Sequence, residues 1–324
     1  MKILVPVSNT EYIDKFIDAG ADEFYLGFHD DNWIDKFGKY ADINRMSGFA
    51  ERANPFTFEQ LTKVTEDLKN KDKGVFVAIN ANEYSAEQIR YMTEHYFCRL
   101  KEVGVDGVIM SDADAICAAE KVGLNPVAST MCAIYNEDIA RIYRDMGVNR
   151  MILPRDLSLK EIEQICSAMP EIHFEAFFMR NGCIFSDCYC LGMHRPECGA
   201  TCTYTRYGKS TYTHMYKSFA DHNAVDVNDY LYRTAFHIDA CAMCALYRLN
   251  AIGIQSLKIV GRADDWDSVC RDIELTKKNI EIMEKADSED DYLNNMIFTD
   301  NFPSKCREGI SCYYPEVRFK ETEQ

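Results

Sequence analysis

The chain has 324 residues, 14 cysteines and a formal net charge of −16. Such a charge opposes the broad electrostatic attraction on which most nucleic-acid-binding proteins rely. The chain starts MKILVPVS, with no charged leader or signal-peptide core, and no stretch approaches the roughly 18 apolar residues of a membrane helix. We therefore expect a soluble, cytoplasmic protein.

Short apolar runs alternate with amphipathic segments over residues 1–285. Strands are predicted, in chain order, at ILVPVS, EFYLGF, VFVAIN, GVIMSD, PVAST, RMILPRD, IHFEAFF and SLKIVGR. Helices are predicted between them at 11–19, 58–69, 86–103, 113–122, 137–146 and 159–168, and after the last strand at 266–284. Eight strands alternating with helices predict a (β/α)8 TIM-like barrel. An open doubly wound sheet is the alternative, but no glycine-rich phosphate loop follows the first strand.

The predicted barrel domain spans 1–285 and includes a cysteine-rich insertion, 180–250, between the seventh and eighth strands. Residues 286–324 break the pattern with the acidic run ADSEDD and form a C-terminal tail. Cys306 and Cys312 in this tail either complete a metal site or are two free thiols. Barrel enzymes place their active sites at the C-terminal ends of the strands, so Cys183 and Arg262 are expected on that face.

Five cysteines crowd the stretch that follows the seventh strand: Cys183, Cys188, Cys190, Cys198 and Cys202. Thiolates this close form disulfides or share a metal, and a reducing compartment favours metal or redox chemistry. A cysteine within a helical pattern usually behaves as a small buried hydrophobe, which we expect of Cys98, Cys117, Cys166 and Cys270.

Several longer motifs lie along the chain, namely DAGADEFYLG, RANPFTFEQL, VGVDGVIMSDADAI, MGVNRMILPRDLSLKEI and HIDACAMCALYRLNAIGIQSLKIVGR. Together they resemble the peptidase U32 family, also called collagenase-like proteases. The family signature is matched at Glu175, Phe177, Gly182, Cys183 and Cys190, followed by Cys198 and Cys202. The resemblance covers about residues 1–285.

The sequence also departs from the family pattern. Arg180 or Asn181 stands where the family usually has a histidine, and Val260 replaces the acid of its KIEGR motif. Cys188 occupies a position where glycine is common, and the segment between Cys190 and Cys198 is shorter than usual. From the resemblance, we expect no counterpart of the C-terminal domain that some longer members have.

The resemblance implies an oxygen-independent hydroxylase with a [4Fe-4S] cluster, since such members act on tRNA, ribosomal RNA or a ubiquinone precursor with prephenate as the implied oxygen donor. By family match, the expected ligands are Cys183, Cys190 and Cys241, with Cys202 or Cys198 as the fourth. Zinc is the main alternative, because the spacings of Cys198 to Cys202 and of Cys241 to Cys244 suit a tetrahedral structural site.

Polar side chains are expected to form a ring at the strand ends of the barrel. Those predicted to be catalytic are Asn80, Arg155, Glu175, Lys258 and Arg262. Arg155 and Arg262 suit bidentate binding of a carboxylate, as a dicarboxylate such as prephenate would require. The alternative for Arg155 is a surface ion pair with Asp156.

The predicted function is that of an iron–sulfur hydroxylase or related redox enzyme acting on a small molecule or short peptide, with a partner protein able to present the substrate. A peptidase is one alternative, but the sequence contains neither HExxH nor GxSxG. An RNA-modifying hydroxylase is another, because the aromatic and basic stretch TYTRYGKSTYTHMYKSF suits stacking on bases as well as strands over the barrel mouth. The third alternative is a non-catalytic binding protein with a structural metal cluster.

Overall fold

The computed structural model describes residues 1–183, 186–190, 236–237, 240–299 and 312–317, with only the backbone at Cys183, Tyr189, Phe236 and His237. The described strands are β1 (Lys2–Val7), β2 (Glu23–Leu26), β3 (Phe28–His29), β4 (Phe56–Thr57), β5 (Gly74–Ala78), β6 (Gly107–Met110), β7 (Pro126–Ala128), β8 (Arg150–Ile152), β9 (His173–Met179), β10 (Gly182–Cys183), β11 (Phe236–His237) and β12 (Ser256–Ile259). The described α-helices are α1 (Ile13–Ala19), α2 (Asp31–Phe37), α3 (Phe58–Asn70), α4 (Ala86–Met92), α5 (Cys98–Glu102), α6 (Ala113–Lys121), α7 (Glu137–Asp145), α8 (Leu159–Ala168), α9 (Leu246–Ile252), α10 (Trp266–Met283) and α11 (Glu289–Asn295).

Eight of these strands form a closed parallel barrel in the order β1-β12-β9-β8-β7-β6-β5-β2. Closure occurs because β1 pairs with β2 on one side and with β12 on the other, where Lys2 is in register with Ser256. The predicted (β/α)8 barrel is therefore confirmed, and the open-sheet alternative is wrong. Each strand is a short apolar run in the sequence because, in this barrel, a helix covers its outer face.

Local sequence signals place the helix boundaries close to their predicted positions. Thr57, Ser85 and Ser158 each begin a helix with a capping box, in which the hydroxyl accepts a hydrogen bond from the backbone three residues later. Gly20 ends α1 with φ +114°, a left-handed conformation that glycine adopts without strain. The predicted helix 86–103 differs in one respect, since a π-helical turn at Thr93–Phe97 separates α4 from α5.

A long connection after β2 contributes a wall of the barrel mouth that the sequence pattern does not predict. It contains α2 and returns through β4, which pairs in parallel with β3. Buried Trp33 anchors it, stacking edge-on with Tyr84 and donating from Nε1 to Ala41 O at 2.8 Å. Residues between α2 and β4 are thereby fixed against the loop that follows β5.

Residues of the predicted tail pack against the barrel. Cys312 forms a parallel β-bridge with Cys241, and Tyr313 N–H donates to Cys241 O at 3.0 Å. Glu316 accepts from the first N–H of α8, at Leu159, at 2.8 Å. Tyr314 is 2% exposed. No helix of the described ranges is both long and apolar enough to cross a membrane.

Candidate active site at the barrel mouth

The chain turns sharply where β9 ends at the C-terminal face. Arg180 and Asn181 both have left-handed backbone, with φ +67° and +46°, which is rare for residues other than glycine. Arg180 is held by ion pairs to Asp264 at 3.1 Å and Asp272 at 2.8 Å, and its carbonyl accepts from Tyr313 Oη. This turn leads into β10, which contains Cys183 and pairs antiparallel with β11.

Several of the predicted cluster ligands lie around the end of β9. Cys241 is buried and forms an antiparallel β-bridge with Met179, the last residue of that strand. Cys190 N–H donates to Asp187 O at 3.1 Å, and Cys190 O accepts from Asn82 Nδ2 at 2.9 Å. The backbone of both cysteines is thus fixed at the mouth.

Other predicted ligands fall outside the described residues, namely Cys198 and Cys202, as does Cys306. Within the described part of the chain, no three cysteine, histidine or carboxylate side chains come together in a group that could hold a metal ion. The ligand set and the choice between iron–sulfur and zinc therefore stay predictions.

A buried carboxylate, Asp187, lies between two arginines at the mouth. Its Oδ1 is 2.6 Å from Arg45 Nη1, and its Oδ2 is 2.9 Å from Arg155 Nε and accepts from Thr130 Oγ1 at 3.0 Å. Burial alone would raise the pKa of Asp187, but Arg155 and then Arg45 hold it below its ordinary value. Asp187 is therefore an anion whose charge is balanced by guanidinium groups.

Arg155 is consequently occupied by groups of the protein itself. Besides Asp187, it donates from Nη1 to Asn181 O at 2.6 Å and lies over the ring of Phe177 at 4.0 Å. The alternative ion pair with Asp156 is not formed, because Asp156 accepts from Tyr135 Oη instead. The contact of Arg155 with Asp187 is an ion pair alone, since Nε lies 2.9 Å from Oδ2 but donates no hydrogen bond to it.

Arg262, also predicted to bind a carboxylate, has a different environment. It is 6% exposed and donates to two amide oxygens, Asn54 Oδ1 at 2.9 Å and Asn44 Oδ1 at 3.3 Å. No carboxylate of the described residues forms an ion pair with it, and burial lowers the pKa of Arg262 to about 10. A buried cation without a carboxylate partner favours binding of an anion.

Asn80 lies on the rim, as predicted. Its Oδ1 accepts from Arg45 N–H at 3.3 Å and its Nδ2 donates to Ser129 Oγ at 3.3 Å, so it joins the loops after β2, β5 and β7. Beside it is a cavity of about 570 Å³. The residues that line this cavity include Tyr40, Asp42, Arg45, Asn82, Glu83 and Gln88.

Glu175 and Lys258 do not lie on the rim, which corrects their predicted position. Glu175 is fully buried in the barrel interior, where Oε1 accepts from Lys258 Nζ at 2.7 Å and Oε2 accepts from Arg150 Nη2 at 2.7 Å. Arg150 Nη2 also donates to Glu23 Oε2 at 2.6 Å. Glu175 and Lys258 thus lie inside the barrel, before the ends of β9 and β12. Because their charges are neutralised there, the geometry favours a structural role for both.

Sequence reasoning missed Arg45 and Asp187, although both are central to the mouth. Neither belongs to a periodic segment, and the contact between them joins residues 142 positions apart. The available signal was compositional: arginines and asparagines in the connection after β2, and an acid beside the signature cysteines.

Comparison with known proteins assigns the family. Residues 8–318 match the model of peptidase family U32. The tRNA hydroxylation protein P of Helicobacter pylori strain J99 is 25% identical over 193 residues, which are 59% of this chain and 42% of that protein. The collagenase of Porphyromonas gingivalis is 26% identical over 164 residues, 51% of this chain and 35% of that protein.

The chain thus spans less than half the length of these curated relatives. Among solved structures, that of the U32 peptidase Mk0906 is 11% identical with a TM-score of 0.43, covering 55% of this chain and 69% of its own. Because the family match extends over nearly the whole sequence, the chain belongs to peptidase family U32.

Proposed function

We propose that this chain is an oxygen-independent hydroxylase whose [4Fe-4S] cluster is held by Cys183, Cys190 and Cys241, with Cys202 or Cys198 as the fourth ligand. The observation that carries the proposal is the meeting of distant segments at the end of β9, where Cys241 bridges to Met179 and the turn leads into Cys183. Family membership and the hydroxylation named for the Helicobacter pylori relative support it.

The charges at the mouth fit such a group. A cluster with four thiolate ligands is negatively charged, so a buried site for it needs positive charge nearby. Arg45 and Arg155 face one carboxylate, Asp187, which leaves one cation in excess next to Cys190. When bound, the fully ligated cluster would supply one-electron chemistry.

Arg262 would bind the carboxylate of an anionic co-substrate, for which prephenate is the compound implied by the family resemblance. Its guanidinium is fixed by Asn44 and Asn54, so little side-chain entropy is lost when an anion binds. Arg155, which is already paired with Asp187, would position the cysteine loop rather than grip the co-substrate.

Metal analysis of the anaerobically purified protein tests the cluster. We expect iron and sulfide in about four-to-four ratio and broad visible absorption from thiolate-to-iron charge transfer. Cys183→Ser and Cys241→Ser should lose the cluster, whereas Cys166→Ser, on α8, should keep it. Stoichiometric zinc without iron would instead support a structural site and a binding function.

The peptidase alternative draws on the names of relatives such as the Porphyromonas gingivalis collagenase. The described residues contain a serine–histidine pair, since Ser256 Oγ lies 2.8 Å from His173 Nε2. Ser256, however, is fully buried and donates to Glu23 Oε2 at 3.0 Å, and burial, aided by Arg150, lowers the pKa of His173 to about 4. A nucleophile must reach its substrate, so this pair does not support hydrolysis. Gelatin cleavage by metal-free protein would establish the peptidase alternative.

The substrate is either a small molecule, as the acidic composition favours, or RNA, as the names of relatives favour. An Escherichia coli relative, 28% identical over 142 residues, is also named tRNA hydroxylation protein P. Comparing modified nucleosides and metabolites in deletion and wild-type cells distinguishes the two. Loss of a hydroxylated nucleoside would assign RNA, and accumulation of an unhydroxylated metabolite would assign a small molecule.

A further inference from the structure

Arg45 connects the buried carboxylate Asp187 to the cysteine that follows it. The guanidinium Nη1 lies 2.6 Å from Asp187 Oδ1, and the side chain of Asp187 is completely buried. Three residues later, Cys190 closes the same turn with its N–H on Asp187 O. Burial alone would lower the pKa of Arg45, but Asp187 and then Cys190, through charge and hydrogen bonds, raise it above its ordinary value.

Both ends of this contact are fixed by the backbone. Arg45 N–H donates to Asn80 Oδ1 at 3.3 Å, and Cys190 O accepts from Asn82 Nδ2 at 2.9 Å. The loop after β5 therefore holds the arginine and the cysteine in one arrangement. The guanidinium has little freedom to move away from Asp187 and its turn, because the side chain of Arg45 is only 15% exposed.

Hydrogen bonds to cluster sulfurs and the net charge around a cluster are two of the factors that set its reduction potential. We propose that Arg45 is a positioning residue that raises the reduction potential of the cluster through its contact with Cys190, and that Asp187 opposes it. This inference rests on the proposed function. Reduction adds one negative charge to the cluster, so a neighbouring cation stabilises the reduced form and a neighbouring anion destabilises it.

Removing the cation and removing the anion should shift the potential in opposite directions. Arg45→Gln should move the midpoint potential to a more negative value, and Asp187→Asn should move it to a more positive one. Arg45→Lys keeps the charge and should stay closer to the wild-type potential than Arg45→Gln. The measurement is a dye-mediated redox titration followed by electron paramagnetic resonance of the reduced cluster. Arg52→Gln, an exposed arginine of the same connection, is the matched control and should leave the potential unchanged.

Shifts of opposite sign are expected only if both groups act electrostatically on the cluster. Shifts of the same sign, or unchanged potentials with an intact cluster, would overturn the inference while leaving the proposed function in place. If the Arg45→Gln variant loses its cluster, the midpoint potential of Asp187→Asn tests the inference alone, and a shift to a more positive value supports it. Loss of the cluster in both variants would show that the two residues have only a structural role and would overturn the inference. Wild-type protein that binds no iron–sulfur cluster would refute the proposed function itself.

Discussion

Replacing Arg150 with methionine should destabilise the protein strongly, because this arginine bridges two carboxylates inside the barrel. Glu23 and Glu175 are 2% and 0% exposed, and each accepts from Arg150 within 3.0 Å. Breaking a buried ion pair typically destabilises by about 3–5 kcal/mol. Burial alone would raise the pKa of Glu23, but Arg150 and then Lys2 lower it from 4.5 to about 2, and this net shift corresponds to a similar figure of about 3 kcal/mol.

The loss should depend on pH in a defined direction. In the wild type, the folded-state pKa of Glu23 is below its unfolded value, so its contribution is complete above about pH 4.5 and is lost as the pH falls toward 2. Without Arg150, Glu23 keeps only Lys2 and Glu175 keeps only Lys258 as a cationic partner among the described residues. Burial would then raise the pKa values of both carboxyl groups, and protonation would offset part of the lost ion pairing. The loss of unfolding free energy caused by Arg150→Met should therefore be largest near neutral pH and smaller at about pH 4.5.

Urea unfolding followed by circular dichroism at about pH 7.5 and about pH 4.5 measures both effects. Arg99→Met is the matched control, since Arg99 also contacts two carboxylates, Glu66 and Glu102, but is exposed on α5. It should change the unfolding free energy by less than about 1 kcal/mol. Equal losses in the two variants, or a deficit that grows on acidification, would refute the assignment of Glu175 to a structural network.

Three further substitutions test other parts of the fold. Gly27→Ala places a Cβ in steric overlap with Arg262 Nη1 and Asn54 Oδ1, so the prephenate binding proposed for Arg262 should weaken at least about tenfold in calorimetry without unfolding. Tyr313→Phe leaves the buried carbonyl of Arg180 without its hydroxyl donor and should make the 312–317 segment more sensitive to proteolysis, which limited digestion would show. Ser158→Ala removes the capping box of α8 and should lower the unfolding free energy by about 1 kcal/mol with the cluster content unchanged.

The regular part of this fold could be predicted from the sequence because its signals are local. Alternating apolar residues fix β9, and the Ser158 capping box fixes the start of α8, which begins and ends where it was predicted. The closed barrel follows from the count of strands and helices. None of these inferences needs information about residues distant in the chain.

The site was only partly predictable, since its contacts are long-range. The location of Asn80, Arg155 and Arg262 near the strand ends is predictable because they come soon after β5, β8 and β12; their catalytic roles stay predictions. Glu175 was placed on the rim because a strand pattern shows which side a residue faces but not how deep it lies in the barrel. The pairing of Arg45 with Asp187 requires two loops to come together over the mouth, and no periodic pattern in the sequence predicts that contact.

The position of the arginines also bears on whether RNA is the substrate. Arg45, Arg155 and Arg262 are buried or nearly so, with side chains of the first two 15% and 10% exposed. Buried guanidiniums cannot exchange counterions with a phosphate backbone, and the overall charge of −16 repels it. If RNA is modified, recognition should come from a base entering the mouth, with weak and nearly salt-independent binding of tRNA in fluorescence anisotropy. A loss of about 10³-fold or more in affinity between about 50 and 200 mM salt would indicate many phosphate contacts and contradict this account.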